Sequence, residues 1–256
     1  MPVYNTLLIP PYSSLPPNSL TPLAQKLRSF KLHALLSDPN AFSQSHAAES
    51  ELPLSAWETR VSNPDFRIVV CIVDSGDIKE SGADEDRKDN AEKKEIPEAV
   101  VKTLLASDWA GTFTLVGPVS LDAWVYPLSG QPETGSDEEE KRWHLTSLFV
   151  LPEHRGRGLA AKLTIAAVQA GSSISQSSPS PVEGNQGARR TTRFRLIVHP
   201  KNKPVVGLYE KLGFVVGGLY TQKEAMMAMG DAAGIPEDAE EEKWNTRLAI
   251  GMEYIV

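Results

Sequence analysis

Arg155, Gly156, Arg157 and Gly158 stand between an apolar, β-branched run that ends at Leu151 and an amphipathic run that begins at Leu159. Two glycines let a backbone approach a ligand closely. The first turn of a helix adds unpaired N–H groups and the positive end of the dipole, and Arg155 and Arg157 add full charges. Together these features suit a phosphate or pyrophosphate. An ordinary strand-to-helix turn with exposed arginines has the same composition, so the loop alone does not decide. Two anion-binding motifs compare poorly with it. A Walker loop needs Lys and Ser or Thr directly after its last glycine, and neither follows Gly158. A dinucleotide loop is matched in letters by Gly156, Gly158 and Ala161. However, Pro152 to Arg155 separate the strand from the first glycine, and the next strand ends at His199-Pro200 without an acidic residue for a ribose.

Other chemistry-bearing residues lie on either side. His144 sits on the strand before the loop, and the ordinary imidazole pKa of about 6.5 suits proton transfer at neutral pH. A half-exposed strand histidine is the competing reading. Asn202 and Pro204 open a helix that Gly213 closes, with Tyr209 about two turns in. By spacing alone Tyr209 reads as a core aromatic. Glu153 and His154 beside the loop read as solvated. Cys71 is the only cysteine; flanked by Val69, Val70, Ile72 and Val73, it reads as a buried strand residue and excludes an internal disulfide. No spacing of His, Cys, Asp and Glu points to a metal.

The segment Phe149-Val-Leu-Pro-Glu-His-Arg-Gly-Arg-Gly-Leu-Ala160 resembles, through its R-x-x-G-x-G/A pattern, the acetyl-coenzyme-A signature of the GCN5-related N-acetyltransferases (GNAT). Asn202-Lys-Pro-Val-Val-Gly-Leu-Tyr-Glu-Lys-Leu-Gly-Phe214 resembles that superfamily's later N-x-x-A-x-x-L-Y-x-K-x-G-F motif, with Val205 or Gly207 near the usual alanine. Leu32 to Phe42, continuing through Trp57, resembles the first helices of many members. The resemblance implies an acetyl-CoA-dependent N-acetyltransferase that acts by direct attack of a primary amine in a ternary complex. It places the coenzyme on Leu148, Phe149, Val150, Arg155, Gly156, Arg157, Gly158, Leu159, Ala160 and Asn202. It also makes Tyr209 the general acid and His144 the base, directly or through water. The acceptor, a small-molecule amine or a peptide or protein amine, is expected near Phe42, His46, Trp57, Trp124 and His144. A non-catalytic acyl-CoA-binding protein and an NAD(P)-dependent oxidoreductase are the alternatives.

The elements that must hold these residues follow from periodicity. Helices are expected over 22–37, 54–61, 156–170 and 203–212, and strands over 66–73, 100–105, 113–125, 143–151, 194–198, 214–220 and 248–255. Hairpin-like strands followed by alternating helices and strands predict an α+β fold. The resemblance makes it a three-layer α/β arrangement, a mixed and mostly antiparallel GNAT-like sheet flanked by helices.

The chain has 256 residues and a net charge of −7, which at first sight disfavours a polyanionic ligand. The charge is unevenly placed. Segments 74–98, 130–142 and 231–243 hold 21 of the 33 acidic residues but 8 of the 26 basic ones, so the rest of the chain is basic. Those three segments and the Ser-rich stretch 171–191 read as long flexible insertions in one domain spanning 1–256, because lengthening a surface loop costs little. No apolar run reaches a bilayer-spanning length of about 18 residues, and the N-terminus lacks a basic flank followed by an apolar core. The expectations are a monomer or homodimer in the cytoplasm or nucleus, with neither nucleic acid nor membrane as a partner.

Overall fold

The computed structural model describes residues 2–39, 42, 44–74, 92–177, 191–230, 232–236 and 242–256. A seven-stranded mixed sheet runs in the order β1-β2-β3-β4-β5-β7-β6, with helices in the connections. The α+β expectation therefore holds. The chain divides into two compact units, Met1–Thr114 with Ser147–Ala166 and Leu115–Thr146 with Ala167–Val256.

In the first unit, β1 (Val3–Leu8) pairs antiparallel with β2 (Phe66–Asp74), with Tyr4 opposite Val73. Between them run α1 (Leu20–Ser37), α2 (His46–Glu51) and α3 (Leu54–Ser62). Their apolar faces meet β2 in a core that includes Leu23, Leu27, Phe30, Trp57, Val61, Ile68, Val70 and Ile72. The same core takes Val101 and Leu104 from α4 (Glu92–Ala106) and Trp109 from β3 (Trp109–Val116).

α4 corrects two expectations. Residues 100–105 form its last turns, not a strand: Val100, Val101, Leu104 and Leu105 recur at helical spacing, and burial of Val101 and Leu104 outweighs the β-branched run. Residues 92–98 are helical too, so the insertion read at 74–98 is shorter; 75–91 lie outside the described residues. Lys26 Nζ donates to the Leu105 and Ser107 carbonyls, at 2.7 and 2.6 Å, satisfying acceptors that the helix end leaves free. β1 itself was not anticipated, because six residues between prolines carry little pattern.

In the second unit β3 ends at Val116, before Gly117-Pro118, so the strand expected to continue to 125 is shorter. Proline has no N–H to extend a ladder. A short helix, α5 (Leu121–Trp124), follows, and β4 (Glu140–Val150) pairs in parallel with β5 (Thr191–Val198) from Glu140 as far as His144. β5 pairs antiparallel with β7 (Ala249–Ile255), and β7 with β6 (Val215–Tyr220).

α6 (Leu159–Ser177) runs past its expected end at 170. Gly171 lets it approach the Phe194 ring to a distance no Cβ would allow, and Ser175 is buried, accepting from Trp143 Nε1 at 3.0 Å and donating to Gly171 O at 2.8 Å. Serines that read as linker composition are here helix-face contacts; residues 178–190 lie outside the described residues. Of the acidic segment 231–243, residues 231 and 237–241 lie outside them as well. Residues 242–245 form α9 (Glu242–Asn245), and α8 (Gln222–Ala228) precedes it with a Thr221/Glu224 capping box.

α7 (Lys203–Lys211) ends in a Schellman motif. Phe214 N–H donates to Tyr209 O and Gly213 N–H to Glu210 O, both at 3.0 Å, and the Tyr209 and Phe214 rings stand 5.4 Å apart as the apolar contact of that motif. Gly213 sits at φ +90°, and a Cβ there would meet the Tyr254 ring at 3.2 Å. Gly213→Ala is expected to cost about 1–2 kcal/mol in denaturant unfolding. A neutral result would mean that the turn relaxes at no cost. Asn202 does not cap α7 with its side chain, as the sequence predicted; its backbone carbonyl accepts from Val205 and Val206 instead.

Candidate functional site

The first unit carries the loop. α6 begins at Leu159, so the N–H groups of its first turn have no partner within the helix. Gly156 and Gly158 adopt φ +75° and +73°, a region that side chains other than glycine's rarely enter, and both are exposed. A Cβ built on either meets nothing within 4 Å, so the space over the loop is open. Leu159 is buried and anchors the helix start; Ala160 is half-buried.

Both arginines have partners within the protein. Arg155 donates from Nε to Val150 O and from Nη2 to Asp38, both at 3.0 Å, and lies 5.3 Å from the Phe149 ring centre. It thus ties the loop to the strand end, and it occupies a carbonyl of the Leu148 to Val150 segment assigned to the pantetheine arm. Arg157 donates from Nη1 to the Tyr4 hydroxyl. Neither arginine is an uncommitted charge.

Ser147, in β4, has φ 58°, left-handed backbone in a non-glycine residue. It lies just past the β4–β5 ladder, whose last pair is His144 with Arg195. No residue-type signal marked Ser147 beforehand, since serine has no special tolerance for that conformation.

The second unit carries His144, Asn202 and Tyr209. Tyr209 is 3% exposed, and burial pushes its phenol well above the ordinary range, so it is protonated at any physiological pH. His144 is buried, not half-exposed: it stacks on Trp124 with ring centres 4.6 Å apart, and its Nε2 makes no hydrogen bond among the described residues. Burial and then the Arg195 charge push its pKa down to about 3, which removes the match to neutral pH expected from an ordinary imidazole.

That shift has a consequence for folding. The unfolded chain binds a proton at His144 below about pH 6.5 and the folded chain does not until about pH 3, so stability is complete above pH 6.5 and falls through that window. His144→Gln should flatten the dependence of unfolding free energy on pH between 6 and 4 by up to about 1.4 kcal/mol per pH unit. An unchanged slope would show that His144 is protonated in the folded chain.

Among the proposed acceptor-lining residues, Trp57 is 1% exposed in the first unit's core, Phe42 faces Phe149 at 5.0 Å, and His46 opens α2. Trp124, in the second unit, is fully buried. Cys71 is buried, its thiol pushed up to about 11 by burial, which fits its reading as a core residue.

Sequence reasoning missed an ionic network in the second unit. Arg195 is fully buried, with its guanidinium 3.8 Å from the Trp124 ring centre and 5.2 Å from that of Tyr220. It donates to Glu253 Oε1 through Nε (2.9 Å) and Nη2 (2.7 Å), and to Trp124 O at 2.9 Å. Arg193 bridges Glu253 (2.7 Å) and Glu140 (2.6 and 3.1 Å). Arg142 holds Asp137 at 2.6 Å and also binds the Gly135 carbonyl. Segment 130–142 is therefore tied to buried arginines and is not a free acidic loop. The available signal was two arginines at alternate positions of the apolar run Thr191–Val198, matched by a lone Glu253 in Ala249–Ile255.

Among the described residues no three His, Cys, Asp or Glu side chains could hold a metal, and no helix is long and apolar enough to cross a membrane.

Residues 124–216 match the family model described as the acetyltransferase (GNAT) domain. No curated protein matches the chain. Similar solved structures include Arabidopsis thaliana NAA60 in complex with acetyl-CoA (14% identity, 99% of each chain covered, TM-score 0.49). Others are a GNAT-family acetyltransferase from Streptococcus pneumoniae (12%, 98% of this chain and all of that one, 0.48) and spermidine N-acetyltransferase from Vibrio cholerae (14%, 99% and 92%, 0.46).

Proposed function

With residues 124–216 matching the GNAT acetyltransferase domain, we propose that this protein moves the acetyl group of acetyl-CoA to a primary amine by direct attack in a ternary complex. The whole chain, 1–256, is taken as one acetyltransferase domain. The acceptor is a small-molecule amine or an amine of a peptide or protein.

The observation that carries this function is the loop 155–160. Free N–H groups at the start of α6, two glycines at positive φ and open space above them fit the pyrophosphate of coenzyme A. Backbone groups from Leu148 to Val150 would hold the pantetheine arm and polarise the thioester carbonyl, with Arg155 bonded to Val150 O beside them. The amides from Gly156 to Ala160, together with Arg155 and Arg157, hold the pyrophosphate, and Asn202 orients the coenzyme or Tyr209.

In the chemical step the amine nitrogen bonds to the thioester carbon, the C–S bond breaks, and the thiolate takes the Tyr209 hydroxyl proton. The proton lost by nitrogen passes to His144 Nε2, directly or through water, and then on to solvent, from which the Tyr209 phenolate is reprotonated. His144 is always available as an unprotonated acceptor but holds the proton weakly. The amine must therefore arrive already neutral, and turnover should rise with pH through the amine's own pKa.

Incubation with acetyl-CoA and a panel of amines, with thiol release and coenzyme binding both measured, tests the assignment; neither signal appearing would sink it. Gly158→Ala is expected to weaken coenzyme binding about tenfold, through strain at positive φ and a methyl group in the phosphate space, with only about 1 kcal/mol lost in stability.

A further inference from the structure

Tyr4 belongs to β1, far in sequence from the loop, yet it meets that loop from both sides of Gly156. Its hydroxyl lies 3.0 Å from His154 Nδ1, with the two rings edge to face at 5.6 Å, and it accepts from Arg157 Nη1. The Arg157 guanidinium stands 5.7 Å from the Tyr4 ring centre. Lys162, one turn into α6, donates from Nζ to the Tyr4 carbonyl. Tyr4 is 8% exposed and fixed in register opposite Val73, so these contacts originate from a held residue and not a loose terminus. A phenol has one proton and two acceptor positions. The arrangement that uses every proton has Arg157 donating to Tyr4, and Tyr4 donating to His154 Nδ1.

We propose that Tyr4 is a positioning residue for anion binding, its hydroxyl clamping His154 and Arg157 so that Gly156 and Gly158 hold the loop open to a pyrophosphate before coenzyme arrives. The inference rests on the coenzyme assignment of the loop given above. Neither flanking residue does this alone: Arg157 is exposed, and a long exposed side chain loses several rotamers when it is ordered. The Tyr4 hydroxyl sets that order in advance, and its contacts with His154, two residues before Gly156, and with Arg157, directly after it, restrict the freest backbone between them.

Tyr4→Phe tests the clamp, because the ring and its burial stay while the hydroxyl goes. Coenzyme A binding, measured by calorimetry, should weaken about five- to tenfold, as expected for losing one intramolecular hydrogen bond at a partly exposed site. Arg157→Gln should weaken it similarly, and the double variant should be no weaker than the poorer single one. Acetyl-pantetheine, which lacks the pyrophosphate, should be turned over by Tyr4→Phe with unchanged kcat/KM. His154→Gln, which keeps a polar partner for Tyr4, should fall between wild type and Tyr4→Phe in coenzyme affinity. Equal losses with acetyl-CoA and acetyl-pantetheine, or additive losses in the double variant, or unchanged coenzyme affinity in Tyr4→Phe, would each overturn the clamp. Failure of the wild-type protein to bind coenzyme A at all would instead overturn the assignment of the loop, and is seen before any variant is compared.

Discussion

Tyr209→Phe is expected to lower the turnover of acetyl transfer by about hundredfold or more, while coenzyme affinity and unfolding temperature stay close to wild type. The two readouts separate because the ring and the hydroxyl have separate tasks. The ring packs on Phe214 and seals the end of α7, and phenylalanine keeps that contact. In the proposed mechanism the hydroxyl is the proton source: burial raises its pKa, so the phenol would be fully protonated as the thiolate departs. Thiols ionise near pKa 8.5, below any phenol, so the transfer is uphill and assists bond breaking without driving it. Steady-state kinetics with the best amine, alongside calorimetric binding of coenzyme A, reads both quantities. A loss of under threefold would move the acid elsewhere; no acetylation by either protein, with coenzyme bound by both, would favour a non-catalytic acyl-CoA-binding protein.

The second large effect is on stability. Glu253→Ala should destabilise the fold by about 3–5 kcal/mol and lower the unfolding temperature by about 10 °C. Glu253 is 2% exposed and is shared between Arg193 and Arg195, so its removal leaves Arg195, fully buried, with no carboxylate partner among the described residues, and Arg193 with Glu140 alone as its ion-pair partner among them. Arg247, bonded to Glu224 but with its side chain 26% exposed, is the contrasting case: Arg247→Ala should cost under about 1 kcal/mol, because water replaces the lost partner. Thermal and denaturant unfolding of both variants measures the difference, and equal losses would mean that water reaches the Glu253 network in the folded chain.

The same network shows where a linear reading reaches its limit. Glu140 belongs to the acidic run 130–142, whose composition reads as a flexible insertion, yet it is 4% exposed and paired with Arg193. Charge runs are usually solvated, and only pairing across strands distant in sequence makes an exception. Segments 100–105 and 171–177 fail for a related reason. Valines bias toward strands and serines toward linkers, but Val101 and Leu104 bury together, and Ser175 finds Trp143, through contacts that composition does not contain.

What the chain order alone determined is local: the loop from Arg155 to Ala160 at a strand-to-helix junction, the helix from Asn202 with glycine at its end, Tyr209 within it, and the α+β alternation. Each depends on neighbours within a few residues, whose spacing sets periodicity, capping and the glycine positions. Tertiary structure alone decided how the charges and protons behave. Arg155 and Arg157 are committed to Val150, Asp38 and Tyr4; His144 is shifted away from neutral pH by burial and Arg195; and the Tyr209 phenol is pushed above its ordinary range by burial. Solvation and Coulomb energy depend on distance in space, and strands brought together by pairing set those distances.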